Sequence, residues 1–289
     1  MGSREVELHE KLHADRGRAE AVEPPDPARH PRLALFSLAE AALGREIRGE
    51  VIDLGAGSGY AGAWLAAHRD VRVTALECTR EAVETGIPRT ARSLGVEDRV
   101  RPVLGRFEDL EAFEGRFDWA VSFGALHHAA DLHAVLQNVF ACLAPGGVLI
   151  LQEPFAPDAT SNDDYRRVYA APEIFAGERI RHGDRHDHFY RKCEYWTALH
   201  YCDFRVLHER SVAELLAPGG RLAPLRRALG RLRRRAAPRP AAAPGEPSHF
   251  PRLRSEVLRP TPWFALCQRP EAPADEVPHR WEGLAPKGA

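Results

Sequence analysis

Nowhere does the chain carry a C-x-x-C pair, and its five cysteines, Cys78, Cys142, Cys193, Cys202 and Cys267, are scattered and odd in number. That spacing excludes a disulfide framework and a zinc knuckle, and it predicts a reducing, cytoplasmic setting. Neither sign of charge dominates, because 40 Lys and Arg stand against 41 Asp and Glu for a net charge of -1. Without a global basic field, nucleic acid is not the expected partner. No apolar run approaches the roughly 20 residues that a membrane-spanning helix needs. The charged N-terminus has no apolar stretch of the secretory kind either, so no membrane partner is expected. Val6 stands where a myristoylation signal has Ser or Thr.

What the chain does have is bulk and one distinctive stretch. Its 289 residues are 44% hydrophobic, enough to bury a full core, and one domain with insertions is the expected organisation. Val51 to Tyr60 reads VIDLGAGSGY, a β-branched apolar run into an acid and then glycines at alternate positions. This predicts a buried strand, a tight turn and a helix. Alternate glycines let the backbone pass close to a ligand, and the helix behind them offers unpaired N–H groups. A dinucleotide fingerprint would need G-x-G-x-x-G, and its third glycine falls on Tyr60, which is too large. What stands here is G-x-G-x-G, Gly55, Gly57 and Gly59, with Asp53 two residues before. That pattern resembles motif I of the class I S-adenosylmethionine-dependent methyltransferases.

The rest of the chain extends the pattern. Residues 31–44 (PRLALFSLAEAALG) predict a helix from a Pro start to Gly44, and 59–69 another after the glycine turn. Val71–Glu77 predicts a second strand ending in an acid, where a ribose needs an acceptor for its two hydroxyls. Thr79 is the expected N-cap of a helix through 94, with Pro88 forcing a kink or break. Val100–Gly105, Phe117–Phe123 and Val148–Gln152 predict the next strands, with a helix from Asp131 to 143. Phe204–Glu209 and Trp263–Gln268 predict the last two.

Repeated strand and helix units of this length give an α/β fold, a doubly wound parallel sheet. The resemblance adds that the last of seven strands lies antiparallel, between strands five and six, with inserted lid segments. The expected division is 1–30 as an N-terminal helix or lid and 31–155 as the cofactor-binding core, then 156–202 as a substrate-shaping insertion. Residues 203–270 follow with the last strands and an Arg/Pro-rich insertion at 215–250, and 271–289 form a tail. The lid is implied by the resemblance; a solvated tail is the alternative for those N-terminal residues, including His9 and His13.

Ligands in such sheets bind at the carboxyl ends of the strands, and Asp53, Glu77, Phe107, His128 and Glu153 fall there, each from a different strand. F-D-x-x-x-S, A-L-H-H and L-x-P-G-G-x-L-x-x-x-E follow the family's later motifs, so the likeness covers about residues 48–155. It implies S-adenosyl-L-methionine as cofactor, held by Asp53, Gly55, Gly57, Gly59, Glu77, Cys78, Phe107, Glu108 and Phe123. One position departs from the pattern. Arg106 occupies the place where an acid commonly accepts the adenine amino group, so either Glu108 supplies the acceptor or Phe107 and its backbone hold the ring alone.

A sulfonium methyl group is already activated, so the protein mainly aligns the nucleophile and, for oxygen, supplies a base. The candidate catalytic residues are His128, as a neutral imidazole base, His127 before it, and Glu153 to orient that imidazole or hold a substrate hydroxyl. A His-His pair with a carboxylate ending the next strand resembles small-molecule and sugar O-methyltransferases of natural-product pathways, which usually carry Asp where Glu153 stands. The end of strand four has no [DN]-P-P-[YF], which positions nitrogen in nucleic-acid and glutamine methylation, and no cysteine nucleophile. The expected acceptor is a hydroxyl of a small molecule, a sugar or a glycosylated metabolite. N-methylation of a small amine is the alternative, or an RNA-directed activity using the arginine segment 221–239.

Two further stretches carry readings. Eight arginines and no acid lie between Leu215 and Gly245, read as a solvated insertion with a phosphate, membrane-surface or RNA grip as alternative. His182, Asp184, His186, Asp187 and His188 match no metal motif, so a charged loop is expected, with a metal site as the alternative. Tyr165, Tyr169, Phe189, Tyr190, Tyr195 and Trp196 either line a pocket or form the insertion's own small core.

Overall fold

The computed structural model describes residues 31–156, 158, 161–162, 190–211 and 261–271. The N-terminal helix, the histidine cluster at 182–188, the arginine segment 221–239, the tail beyond 271, and Tyr165, Tyr169 and Phe189 lie outside the described residues.

Seven strands form one sheet: β1 (Gly49–Leu54), β2 (Val71–Glu77), β3 (Val100–Leu104), β4 (Phe117–Phe123), β5 (Leu143–Phe155), β6 (Arg205–Ser211) and β7 (Thr261–Gln268). Their order is β3-β2-β1-β4-β5-β7-β6. β7 runs antiparallel between β5 and β6, as expected, and the others pair in parallel. The order reverses between β1 and β4, and that switch point is where open sheets of this kind leave a crevice at the strand ends.

Successive strand residues point to opposite faces, so each strand feeds two cores. Val51, Val73, Val121 and Ile150 join α1 (Ala34–Leu43), α2 (Tyr60–His68) and α3 (Ile87–Ser93) in one cluster. Ile52, Leu76, Ala120 and Leu149 join α4 (Leu132–Cys142) and α5 (Lys192–Tyr201) in the other. Each fully buried aliphatic side chain on these faces contributes roughly 1.5–3 kcal/mol. The central strands are covered on both sides, which explains why they read as continuous apolar runs.

Local chemistry sets the ends of the helices. Gly44 closes α1 at φ +66°, a left-handed cap. Asp131 caps α4 by accepting the Ala134 N–H at 3.0 Å. The single helix expected from Thr79 to 94 is split by Pro88: a π-turn over Ala82–Gly86 runs into α3, which carries the proline in its first turn. The proline's missing N–H removes one rung, and the Ile87 N–H reaches back five residues to the Ala82 carbonyl instead. Thr79 is not the side-chain cap that the sequence predicts, because its hydroxyl turns to Glu77 Oε1 at 3.4 Å. β5 is longer than expected, since pairing begins at Leu143 and continues past Glu153 to Phe155.

Candidate active site

β1 delivers Asp53 and the glycine turn to the crevice. Gly55 has φ +66°, and a Cβ there would stand 2.5 Å from Ala125 Cβ and 3.5 Å from the Phe107 ring. Only bare backbone fits where the β1 turn meets the loops after β3 and β4. Gly57, at φ +57°, completes the turn between them. Gly59 has a packing duty, since a Cβ would meet Ile87 at 3.1–3.3 Å. Asp53 is buried, and its Oδ2 accepts the Gly62 N–H at 3.1 Å. Burial pushes its carboxyl up to about 7; the Gly62 bond opposes this and the Glu77 charge adds to it. Gly62 escaped the sequence reading. A Cβ there would lie 2.8 Å from Val73 and 3.1 Å from Asp53 Oδ2, so the fourth glycine admits both the acid and the close helix.

β2 ends in Glu77, whose carboxylate folds over the same turn. Oε2 accepts the Gly57 N–H at 2.8 Å, and Oε1 accepts the Cys78 N–H at 2.8 Å, the Cys78 thiol at 3.2 Å and the Thr79 N–H at 3.3 Å. Burial and the adjacent Glu77 charge push the Cys78 thiol up, so it stays protonated. After β3, Phe107 is half-buried and Glu108 is exposed. Asn138 of α4 donates to both their carbonyls, at 3.1 and 3.4 Å, and pins the loop. The Arg106 N–H donates to Asp109 Oδ2 at 3.2 Å, which closes a short turn.

β4 and β5 supply the other wall. Phe123, expected at the cofactor, turns its ring into the α1 core, 5.2 Å from Phe36 between centroids. Its carbonyl accepts Arg32 Nη1 at 2.7 Å. Glu153 is fully buried and collects five donors. Oε1 accepts Ser122 Oγ at 2.8 Å and the N–H groups of Ala125 and Leu126 at 2.9 Å each; Oε2 accepts the His127 N–H at 3.3 Å and meets His127 Nδ1 at 2.8 Å. Burial works to raise its carboxyl, but the His127 bond and charge and the two amides outweigh it and hold the carboxyl below the usual range. An ionised carboxylate has no proton to give, so Nδ1 of His127 is the donor, and in the neutral form of the ring Nε2 carries the lone pair.

Glu153 therefore orients His127, not His128 as the sequence suggests, and at zero exposure it does not reach a substrate hydroxyl. The two histidine rings stand 4.1 Å apart between centroids, tilted by 37°. Tyr190 ties the returning insertion to this loop by donating to the Ala129 carbonyl at 2.7 Å. Tyr195 is fully buried and packs on Trp263 at 5.8 Å, so it belongs to the core rather than to a pocket. Trp196 is exposed and donates to Glu209 Oε2 at 3.1 Å. Arg32, Gly62, Ser122 and Asn138 are the residues that sequence reasoning did not single out for the site.

Gly55, Gly57, Glu77 and Phe107 thus meet the His127 loop at one end of the sheet, around the switch point. Across residues 28–209 the sequence matches the family model for the methyltransferase domain. The chain belongs to that family. The chain is 28% identical over 167 residues to sterol 24-C-methyltransferase of Aspergillus fumigatus, a match over 57% of this chain and 42% of the relative. It is 30% identical over 114 residues to glycine/sarcosine/dimethylglycine N-methyltransferase of Actinopolyspora halophila, over 39% of this chain and 20% of the relative. The chain spans less than half the length of either curated relative. Among solved structures, the [4+2]-cyclase SpnF aligns with TM-score 0.60 at 12% identity, over 93% of this chain and 95% of that one. A geranyl diphosphate C-methyltransferase of Streptomyces coelicolor, solved with S-adenosylhomocysteine, aligns with TM-score 0.52 at 14% identity, over 81% and 75%. At such identities these likenesses speak to the fold.

The residues of this methyltransferase domain fit S-adenosylmethionine. The turn at Gly55 leaves room for backbone alone, as a ligand lying across it requires. Glu77 Oε2 takes one bond from Gly57 and retains acceptor capacity for a ribose hydroxyl. Phe107 presents a half-buried ring at the next strand end, as an adenine face requires. Among the described residues no group of three or more His, Cys, Asp or Glu gathers in a metal-holding arrangement. No helix among them is long and apolar enough to cross a membrane.

Proposed function

We propose that this methyltransferase moves a methyl group onto a hydroxyl oxygen of a small molecule, a sugar or a glycosylated metabolite, with His127 as general base and Glu153 as its positioning residue. The observation that carries this reading is the 2.8 Å contact between His127 Nδ1 and the fully buried Glu153 carboxylate. S-adenosylmethionine supplies a methyl group on a positively charged sulfur, already activated for in-line displacement. The chain's own work is alignment and removal of the hydroxyl proton.

Glu153 fixes the tautomer and the ring direction of His127, and an imidazolium formed on proton uptake is stabilised by the carboxylate behind it, the logic of a catalytic dyad. His128, half-buried beside it, is the second candidate to face the acceptor. The Glu153 bond favours His127 over the His128 assignment made from sequence. Net charge near zero argues against an RNA acceptor. The five free cysteines support a reducing, cytoplasmic setting.

A second reading draws on the similarity to sterol C-methyltransferases, since methyl transfer to an alkene carbon also ends in proton loss to a base. The test is incubation with S-[methyl-13C]adenosylmethionine and three panels: hydroxylated metabolites, isoprenoid alkenes and small amines. The new methyl is read by carbon NMR. An ether methyl that disappears in His127→Ala supports the proposal. An alkyl or N-methyl product overturns the oxygen reading.

A further inference from the structure

We propose that Gln152 is the seat for a second hydroxyl of the acceptor, so that the substrate carries at least two hydroxyls and belongs to the sugar-like polyols. The proposal rests on the hydroxyl reading above and narrows its substrate class.

From Val148 to Pro154 strand β5 reads VLILQEP, and its alternate residues face opposite sides of the sheet. Val148 and Ile150 point into the α1 cluster at zero exposure, and Gln152 is the next residue on that side. Glu153, one residue on, faces the other way, to Ser122 and His127. Register sets the carboxamide in a row, with Phe123 of β4 beside it on one side and Phe264 of β7 on the other. Both of these rings belong to the α1 cluster. Gln152 is itself only 3% exposed, and its Oε1 has no hydrogen-bond partner among the described residues.

An apolar side chain would suit this row better. A buried amide oxygen without a partner costs stability, and such groups are rare in folded proteins. The strand's own pattern asks for a third aliphatic residue after Val148 and Ile150, so the polar one points to a ligand.

Position says which ligand. Gly55, Glu77 and Phe107 commit the ends of β1 and β2 and the loop after β3 to the cofactor. The acceptor is left the β4 and β5 side, where the Gly124 N–H donates to the Gln152 carbonyl at 2.7 Å and the histidine loop begins. Gln152 also adjoins the residue that holds His127, with about 3.8 Å between their Cα atoms. An acceptor lying over this strand end offers one hydroxyl to His127 and another to Gln152. Chemistry says what the acceptor carries. A carboxamide sets an acceptor oxygen beside an NH2 donor, and a hydroxyl both donates and accepts. An isoprenoid alkene does neither and would leave the amide unpaired.

Ligand-observed NMR on the full chain saturated with S-adenosylhomocysteine tests this with one ring and a changing number of hydroxyls: cyclohexanol against the cis and trans cyclohexane-1,2-, 1,3- and 1,4-diols. The wild-type protein is expected to bind at least one diol about 10- to 100-fold more tightly than cyclohexanol, the range for pairing a buried polar group otherwise left without a partner. Gln152→Met keeps the length of the side chain and removes the amide. It is expected to bind that diol only as well as cyclohexanol, with unchanged affinity for S-adenosylhomocysteine and a higher melting temperature, because the row becomes apolar throughout. A wild-type protein that prefers no diol overturns the seat and leaves the oxygen reading to its own product analysis. A Gln152→Met variant that keeps the preference also overturns it, as does one that loses S-adenosylhomocysteine by the same factor as the diol, the mark of a structural role. An N-methyl or alkyl product in the labelling panels, beside a diol preference that Gln152→Met abolishes, overturns the oxygen reading and supports the seat.

Discussion

Asp53 and Glu153 are both buried acids at the ends of neighbouring sheet regions, and they respond to burial in opposite ways. Asp53, on the β1 side, accepts one amide, and its carboxyl is pushed up to about 7. Glu153, on the β5 side, accepts five donors and is held below the usual range. Burial raises both; the number of donors aimed at the carboxylate decides which one keeps its charge. One site thus holds an acid close to its titration point beside the glycine turn and a permanent anion behind the histidine loop.

The largest effect is expected from breaking the richer site. Glu153→Ala leaves the Ser122 hydroxyl, two loop amides and His127 without their acceptor, and removing one partner of such a buried network costs roughly 3–5 kcal/mol. Urea unfolding measures it. Glu153→Gln is the sharper variant, because it keeps the volume and one acceptor oxygen but turns an amide N–H toward His127 Nδ1. Its rate is expected to fall by about 10²–10⁴-fold, the usual contribution of general-base catalysis, with unchanged affinity for S-adenosylhomocysteine.

The pH dependence separates the two acids next. Asp53 binds its proton more tightly in the folded state, so that stabilisation is complete below its ordinary value of 3.8 and is lost as pH rises through about 7. The shift corresponds to on the order of 4 kcal/mol between those limits. Asp53→Asn is expected to remove this decline, so the variant should overtake the wild-type protein in melting temperature as pH rises from 4 to 8. Glu153 runs the other way: its contribution is present above the ordinary 4.5 and disappears as pH falls through its lowered folded value. A Glu153→Gln variant should therefore lose less stability than the wild-type protein on acidification. Melting curves that merely parallel the wild type, from pH 4 to 8 for Asp53→Asn and below pH 4.5 for Glu153→Gln, would contradict the contrast.

A smaller effect tests what lets Asp53 in. Gly62→Ala places a methyl 2.8 Å from Val73 and 3.1 Å from Asp53 Oδ2. Overpacking of this kind costs about 1–3 kcal/mol, read as a lowered melting temperature.

Much of this was legible in the chain. The glycine turn, the acid ending β2 and the strand order follow from patterns a few residues long, whose backbone demands are local. The direction of Phe123 was misread: strand alternation sets it with Trp119 and Val121 on the α1 face, opposite Ser122, and away from the cofactor where the sequence reading placed it. The choice between His127 and His128 was not legible. They are adjacent in the 3-10 turn Leu126–His128, and which ring meets Glu153 depends on how that turn lies across β5. Arg32 and Asn138 were beyond reach for a different reason, since their bonds to Phe123 and Phe107 span 91 and 31 residues of sequence. Gly62 had a signal, a small residue in the first turn of α2, whose meaning appears only when Val73 and Asp53 are beside it.

The antiparallel β7 has a consequence for how this scaffold can change. Ser211 and Trp263 pair across the last ladder, so the chain departs from β6 and returns to β7 at neighbouring points on the sheet's rim. Lengthening such an excursion is cheap, about 0.6 kcal/mol for each doubling. The fold therefore has a port on its rim, where foreign sequence can be exchanged while the strand that carries Glu153 stays clamped between two neighbours.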